Sequence, residues 1–314
     1  MTGPPAPPAA RPSAAARWAP LGRWIERERR LALWCRQRGP AWQFAYEFLR
    51  FGVKQGWACL FGGLMLVLLV GTHLWYPRGA TLARYDFLVF GALAIQAAML
   101  WFRLETWEEA KVILAFHVVG TVMEIFKTST GSWIYPDMNF LRIAGVPLFT
   151  GFMYAAVGSY LARVWRLFDF QFTRHPPLWA VSLLALAIYI NFYTDHYHYD
   201  FRLALFAASA LLFGRTWVHY RIWRRHRAMP LLVGLVLVAM FIWFAENLGT
   251  FARVWVYPSQ LKGWAPVPIS KLSAWFLLML ISYTLVALLH GVKRFAKTEE
   301  PIETPPLVSE PVDH

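Results

Sequence analysis

Charge is scarce in this chain. Only 16% of its 314 residues are Asp, Glu, Lys or Arg, against about a quarter in an ordinary soluble domain. Cysteine is scarcer still. Cys35 and Cys59 are the whole supply, which excludes a disulfide framework, and their spacing excludes a Cys-based metal knuckle. The phosphate-binding loop, the dinucleotide fingerprint, the Gly-x-Ser-x-Gly elbow and the His-Glu-x-x-His zinc motif are all missing. No apolar run stands near enough to the start to act as a cleaved secretory signal, since the first begins near residue 56.

What the chain has instead is apolar and aromatic surface. Apolar residues make up 58% and aromatics 17%, with 17 Trp and 13 Tyr. They come in long runs, so the composition points to a multi-pass membrane protein with aromatic belts at both interfaces. The net charge of +13 would suggest a nucleic-acid partner in a soluble chain. In a membrane protein it follows from Lys and Arg held in cytoplasmic loops, and no nucleic-acid partner is expected.

Along the chain, residues 1–20 are rich in Pro and Ala and are expected to be disordered. Residues 21–55 mix Arg with Trp, Leu and Phe. They read as a basic amphipathic segment lying on the inner membrane surface, the alternative being a solvated extension. Eight spans are predicted, at 56–74, 83–102, 110–126, 144–165, 177–193, 201–218, 229–249 and 270–292, each close to the ~20 residues that cross a bilayer. The acidic, Pro-rich tail 298–314 is expected to be disordered. With the N-terminus inside, 23 of the 31 Lys and Arg fall on inner segments, which places both termini in the cytoplasm. The fold class is therefore an all-α membrane protein. Its location would be the inner membrane of a bacterium.

One stretch is written twice. Glu124 to Pro136 recurs as Glu246 to Pro258, and at an offset of 122 Glu, Thr128/Thr250, Trp133/Trp255, Tyr135/Tyr257 and Pro coincide. Shifting the first four spans by about the same amount lands them on the last four. The chain then reads as two parallel four-helix repeats, 56–165 and 177–292, related by an axis along the membrane normal. Both motif copies would lie at the outer face.

Glu124 and Glu246 are the leading catalytic candidates, because an ionisable group in a span is costly and usually functional. The plainer alternative is that each Glu caps its loop through Thr128 or Thr250. His117, two helical turns before Glu124, is a candidate proton relay or a packing residue. Trp133, Tyr135, Trp255 and Tyr257 either line a substrate site or anchor the headgroup level. His196 and His198, with Asp195 or Asp200, form a candidate divalent-metal site, the alternative being a polar loop with Asp200 paired to Arg202. The basic, aromatic loop from Arg215 to Arg227 suits anionic lipid headgroups at the cytoplasmic face.

The stretch Gly131-Ser-Trp-Ile-Tyr-Pro-Asp137 after Glu124, followed by Asn191 to Arg202, resembles an uncharacterised bacterial integral membrane family, domain of unknown function 817. That resemblance covers about 45–295 and implies a helical membrane protein without an assigned activity. A fainter similarity is to membrane carotenoid cyclases and hydratases, whose Pro-x-Glu-Glu signature is absent here. The leading functional expectation is a membrane-embedded enzyme that uses carboxylate acid/base chemistry on an apolar, isoprenoid-like lipid. A proton-coupled transporter with the Glu pair at the repeat interface is the rival, and a non-catalytic membrane assembly factor is the third possibility.

Overall fold

The computed structural model describes residues 19–77, 79–195 and 197–296, with side chains from Glu26 onward. Residues 1–18 of the expected disordered start, the tail 298–314, His196, and the side chains of Trp24 and Ile25 lie outside this description. Ten α-helices stand among the described residues. In chain order they are α1 (Ala19–Gln37), α2 (Pro40–Ala58), α3 (Leu60–Trp75), α4 (Arg84–Trp101), α5 (Trp107–Ser129), α6 (Thr150–Leu167), α7 (Leu178–Thr194), α8 (Arg202–Phe213), α9 (Leu231–Phe251) and α10 (Lys271–His290).

The basic amphipathic segment is helical, and α1 already includes Ala19 and Pro20 from the stretch expected to be disordered. Helix α2 starts with Pro40, whose missing N–H costs nothing in a first turn. It buries Tyr46, Arg50, Lys54 and Ala58, a ladder of i, i+4 positions, and exposes Trp42, Phe44, Phe48 and Leu49. Helix α3 follows after a single residue at a bend of 65°.

Each of the eight predicted stretches holds one helix, α3 to α10. Three of these, α5, α9 and α10, are long and apolar enough to cross a membrane, and α2 with α3 adds a fourth if that bent pair counts as one span. The others fall short for visible reasons. Helix α4 carries Arg84 and Asp86, α6 carries Arg163 and Arg166, and α7 and α8 have only 17 and 12 residues.

Two small sheets correct the all-α expectation. Strands β1 (Arg142–Ile143) and β2 (Val146–Pro147) form a hairpin, so the fourth predicted stretch becomes helical only at Thr150. Strands β3 (Gln171–Thr173), β4 (Trp217–Arg221) and β5 (His226–Pro230) make an antiparallel sheet in the order β3-β4-β5. The sixth helix therefore stops at Phe213 and does not reach residue 218. Helix α8 runs into a turn at Gly214, and the β-branched and aromatic run beyond it pairs with β3.

This sheet gathers one end of the molecule. Phe172 pairs with Arg294 in parallel, and Arg50 Nε donates to the Ile222 carbonyl at 3.0 Å. Lys54 Nζ donates to the carbonyls of Leu167 (2.8 Å) and Arg221 (3.1 Å). The segments before the first predicted span, after the fourth, after the sixth and after the eighth thus meet at a common end. Inside, α6 packs on α3, α5 and α10, while α10 packs on α7 and α9. Helices α5 and α6 approach most closely because glycines face bulky rings. A Cβ on Gly158 would come 2.6 Å from Phe116, and one on Gly120 would come 2.6 Å from Tyr154.

Candidate functional site

The opposite end holds both copies of the repeated motif. Helix α5 is opened by a reciprocal capping box between Thr106 and Glu109. Its last turns carry Glu124 inward, 5% exposed. The helix closes at Ser129, where Gly131 and Ser132 donate back to the carbonyls of Thr128 (3.0 Å) and Lys127 (2.9 Å). The chain then extends, so alternate residues point the same way. Trp133 and Tyr135 turn onto Glu124, while Ile134 between them offers its backbone to the other copy.

Glu124 is held by three neutral donors. Its Oε2 accepts from Trp133 Nε1 at 2.8 Å and from Tyr135 OH at 2.5 Å, and its Oε1 accepts from Tyr154 OH at 2.7 Å. Tyr154 comes from α6. The second copy follows a similar plan with two donors instead of three, and Trp255, the counterpart of Trp133, packs on Gly249 and does not bond the glutamate. Glu246, 4% exposed on α9, accepts from Tyr257 OH at Oε1 and from Trp275 Nε1 of α10 at 2.7 Å. Hydrogen bonds contribute about 0.5–1.5 kcal/mol each, or about 1.5–3 kcal/mol where a partner is charged, and removing one donor exposes the burial cost of the carboxyl group.

The two copies touch. Ile134 and Val256 exchange backbone hydrogen bonds of 3.0 and 2.9 Å in an antiparallel bridge. The Trp133 and Tyr257 rings meet edge-on with centroids 6.0 Å apart, so a donor to one glutamate rests against a donor to the other. Lys271, at the start of α10, places its ammonium 4.7 Å from the Tyr257 ring centre and 5.9 Å from that of Trp133. Helix α4 reaches across as well: Tyr85 OH donates to the Val254 carbonyl (2.8 Å) and Arg84 Nη2 to that of Ala252 (2.9 Å).

The aromatic residues are thus inward-facing. Trp255 and Tyr257 are buried, and Trp133 and Tyr135 spend their polar atoms on Glu124. Neither Glu hydrogen-bonds Thr128 or Thr250. Thr128 Oγ1 is buried without a partner, and Thr250 Oγ1 donates to the Asn247 carbonyl and accepts from Trp264. His117 stands apart from Glu124. Its ring packs 4.4 Å from Phe152 and against Gly151, and its Nδ1 is buried without a hydrogen bond.

The Asp195–Asp200 loop engages cations of the chain itself. Asp195 pairs with Lys127 at 3.3 Å and Arg202 at 3.8 Å, and Asp200 pairs with Arg202 at 3.2 Å while accepting from Asn191. His198 is exposed. Among the described residues no three His, Cys, Asp or Glu side chains converge as a metal site would require; His196 is not among them.

Three site residues were missed in the sequence: Tyr154, Trp275 and Lys271. The first two were findable, because Tyr154 and Trp275 stand 121 positions apart, the spacing that relates the two sets of spans. Lys271 has no such echo, since at the same spacing the corresponding first-half position is Thr150.

These features define a class: a predominantly helical protein with membrane-type apolar helices and two aromatic clamps, each on a buried glutamate. The chain belongs to the family described as "Protein of unknown function (DUF817)", which it matches over residues 47–283. It is 40% identical over 253 residues to "Uncharacterized protein YoaT" of Bacillus subtilis (strain 168), covering 81% of this chain and 95% of that one. No solved structure matches it. Both stretches that carried the family resemblance lie inside the matched region. Neither match supports the fainter similarity to carotenoid enzymes.

Proposed function

We propose that this chain is an eight-span protein of a bacterial inner membrane, two parallel four-helix repeats with both termini cytoplasmic, and that its glutamate pair performs acid/base chemistry on an apolar, isoprenoid-like lipid. The observation that carries the reading is the pair of like-built clamps meeting at one point. Each holds a glutamate by a tyrosine eleven residues on and by an aromatic donor from the following helix, and Ile134 and Val256 pair at equivalent motif positions. A purely structural helix end has no need of a buried carboxylate. Tyrosine hydroxyls bonded to a carboxylate form a ready route for a proton, and the surrounding rings suit an electron-poor hydrocarbon intermediate.

One observation favours the proton-coupled transporter as a second reading: the clamps sit where the two halves meet, the usual place for a coupling site. Lipid and pigment profiles of a deletion strain complemented with native protein, Glu124→Gln or Glu246→Gln test the first reading. The enzyme predicts a lipid species that accumulates in the deletion and in both variants at equal protein level. Unchanged lipids, with a proton-gradient-dependent flux lost in both variants, would replace the enzyme with the transporter.

A further inference from the structure

Two hollows adjoin on the flank formed by α8, α9 and α10, with volumes of about 370 and 620 Å³. Phe206, Val236 and Phe276 line both, so together they make one lateral groove. The groove follows α8, whose 12 residues extend for roughly 18 Å. Leu203 and Ile269 on its margin are exposed, so it opens sideways.

The lining changes character along its length. Toward the sheet end the walls are apolar apart from Ser209, whose hydroxyl is spent on the Leu205 carbonyl. Toward the end that carries the clamps, Arg202, Ser270 and Ser273 join the lining, with the Ser273 hydroxyl donating to the Ser270 carbonyl at 2.6 Å and its lone pairs left to accept. An arginine offers five N–H donors in a planar fork. Asp200 and Asp195 engage this one through Nη2, at 3.2 and 3.8 Å. Lys271 follows Ser270 directly and adds a second cation nearby. Apolar walls ending in one arginine and in serine hydroxyls, with the Lys271 ammonium behind them over the Tyr257 ring, complement a molecule with a hydrocarbon chain and an anionic head. The clamp stands just behind: Phe276 lines the groove, and its neighbour Trp275 donates to Glu246.

We propose that this groove holds one apolar chain of an anionic membrane lipid, with the headgroup received by Arg202, Ser270 and Ser273 beside the Glu246 clamp. The proposal rests on the membrane-embedded, lipid-acting reading above and gives its ligand class a place.

The test uses full-length protein in nanodiscs of phosphatidylcholine carrying a small fraction of a chain-labelled diazirine lipid, either phosphatidylglycerol or phosphatidylcholine. After irradiation, labelled peptides are mapped by mass spectrometry. The expected result is labelling confined to peptides from 202–213, 231–237 and 269–276, about five-fold stronger for the anionic lipid, as basic residues near a headgroup give. Arg202→Gln should remove the preference while leaving chain labelling in place, and Val236→Trp should block both by filling the groove. Equal labelling by the two lipids, or labelling spread over all apolar helices, would mean ordinary bilayer contact and overturn the proposal. The two readings fail separately. Groove labelling that persists while Glu246→Gln leaves cellular lipids unchanged sinks the acid/base reading alone. Altered lipids without groove labelling sink only this one.

Discussion

At the scale of single residues, the glutamates are set by their donors. Tyr154 OH is the only hydrogen-bond partner of Glu124 Oε1 among the described residues. Tyr154→Phe keeps the ring and removes that donor, so it should lower stability by about 1–3 kcal/mol, read as a fall in melting temperature of purified protein. Trp275→Phe should do the same at Glu246, and an undiminished melting temperature in both would show that the clamps carry no strain-free hydrogen bonds worth keeping. Lys54 gives a pH-dependent counterpart at the sheet end. Burial, with Arg50 and Arg221 adding repulsion, pushes its ammonium down to about 7. A lysine whose folded pKa is depressed binds fewer protons folded than unfolded between that value and the unfolded ~10.4. Stability should therefore rise with pH from about 7 upward. Melting temperatures measured from pH 6 to 9 should climb in the native protein, and Lys54→Met should flatten that climb.

At the scale of elements, helix packing follows from where side chains are missing. Helices α5 and α6 lie close because Gly158 meets Phe116 and Gly120 meets Tyr154 without intervening atoms. Gly158→Val would force the Phe116 ring aside and should cost about 1–3 kcal/mol. Because that packing also positions Tyr154, the Glu124 clamp should loosen with it. Gly62→Ala on α3 is the matched control. Its new methyl would lie 3.5 Å from the Ala156 Cβ, an ordinary contact, and alanine favours the helix by roughly 0.5–1 kcal/mol. Thermal denaturation of the two variants should therefore move in opposite directions.

At the scale of the whole molecule, the structure has two ends of different chemistry. One gathers α2, the three-stranded sheet and Lys293 to Phe295, with Asp169 near Arg221 (3.6 Å), His226 (3.5 Å) and Lys293 (3.7 Å). The other gathers the clamps. If the first faces the cytoplasm, then in a Cys35→Ser, Cys59→Ser background Arg225→Cys should resist a membrane-impermeant maleimide in intact cells, and Lys262→Cys should react. The reverse pattern would invert the topology, and labelling of both would break it.

Much of this was decided by the sequence alone. Low charge and long apolar runs fix a helical membrane-type chain, since a bilayer leaves few other ways to satisfy a backbone. Basic amphipathic patterning fixes α1 and α2, and the repeated Glu, Trp, Tyr and Pro mark the clamps. Only tertiary structure decided what those residues do. In the sequence, Trp and Tyr near a helix end fit both a substrate site and an interfacial anchor, because periodicity records burial but not the identity of a partner. Here the extended backbone after Gly131 turns Trp133 and Tyr135 back onto Glu124. The sheet was hidden for a related reason: its strands are short, β4 follows almost directly on the apolar run of α8, and its pairing with Gln171–Thr173 is not local, although the β4–β5 hairpin is. Lys271 was invisible because nothing in its own neighbourhood announces a role. Its position over the Trp133 and Tyr257 rings exists only once two stretches more than a hundred residues apart have come together.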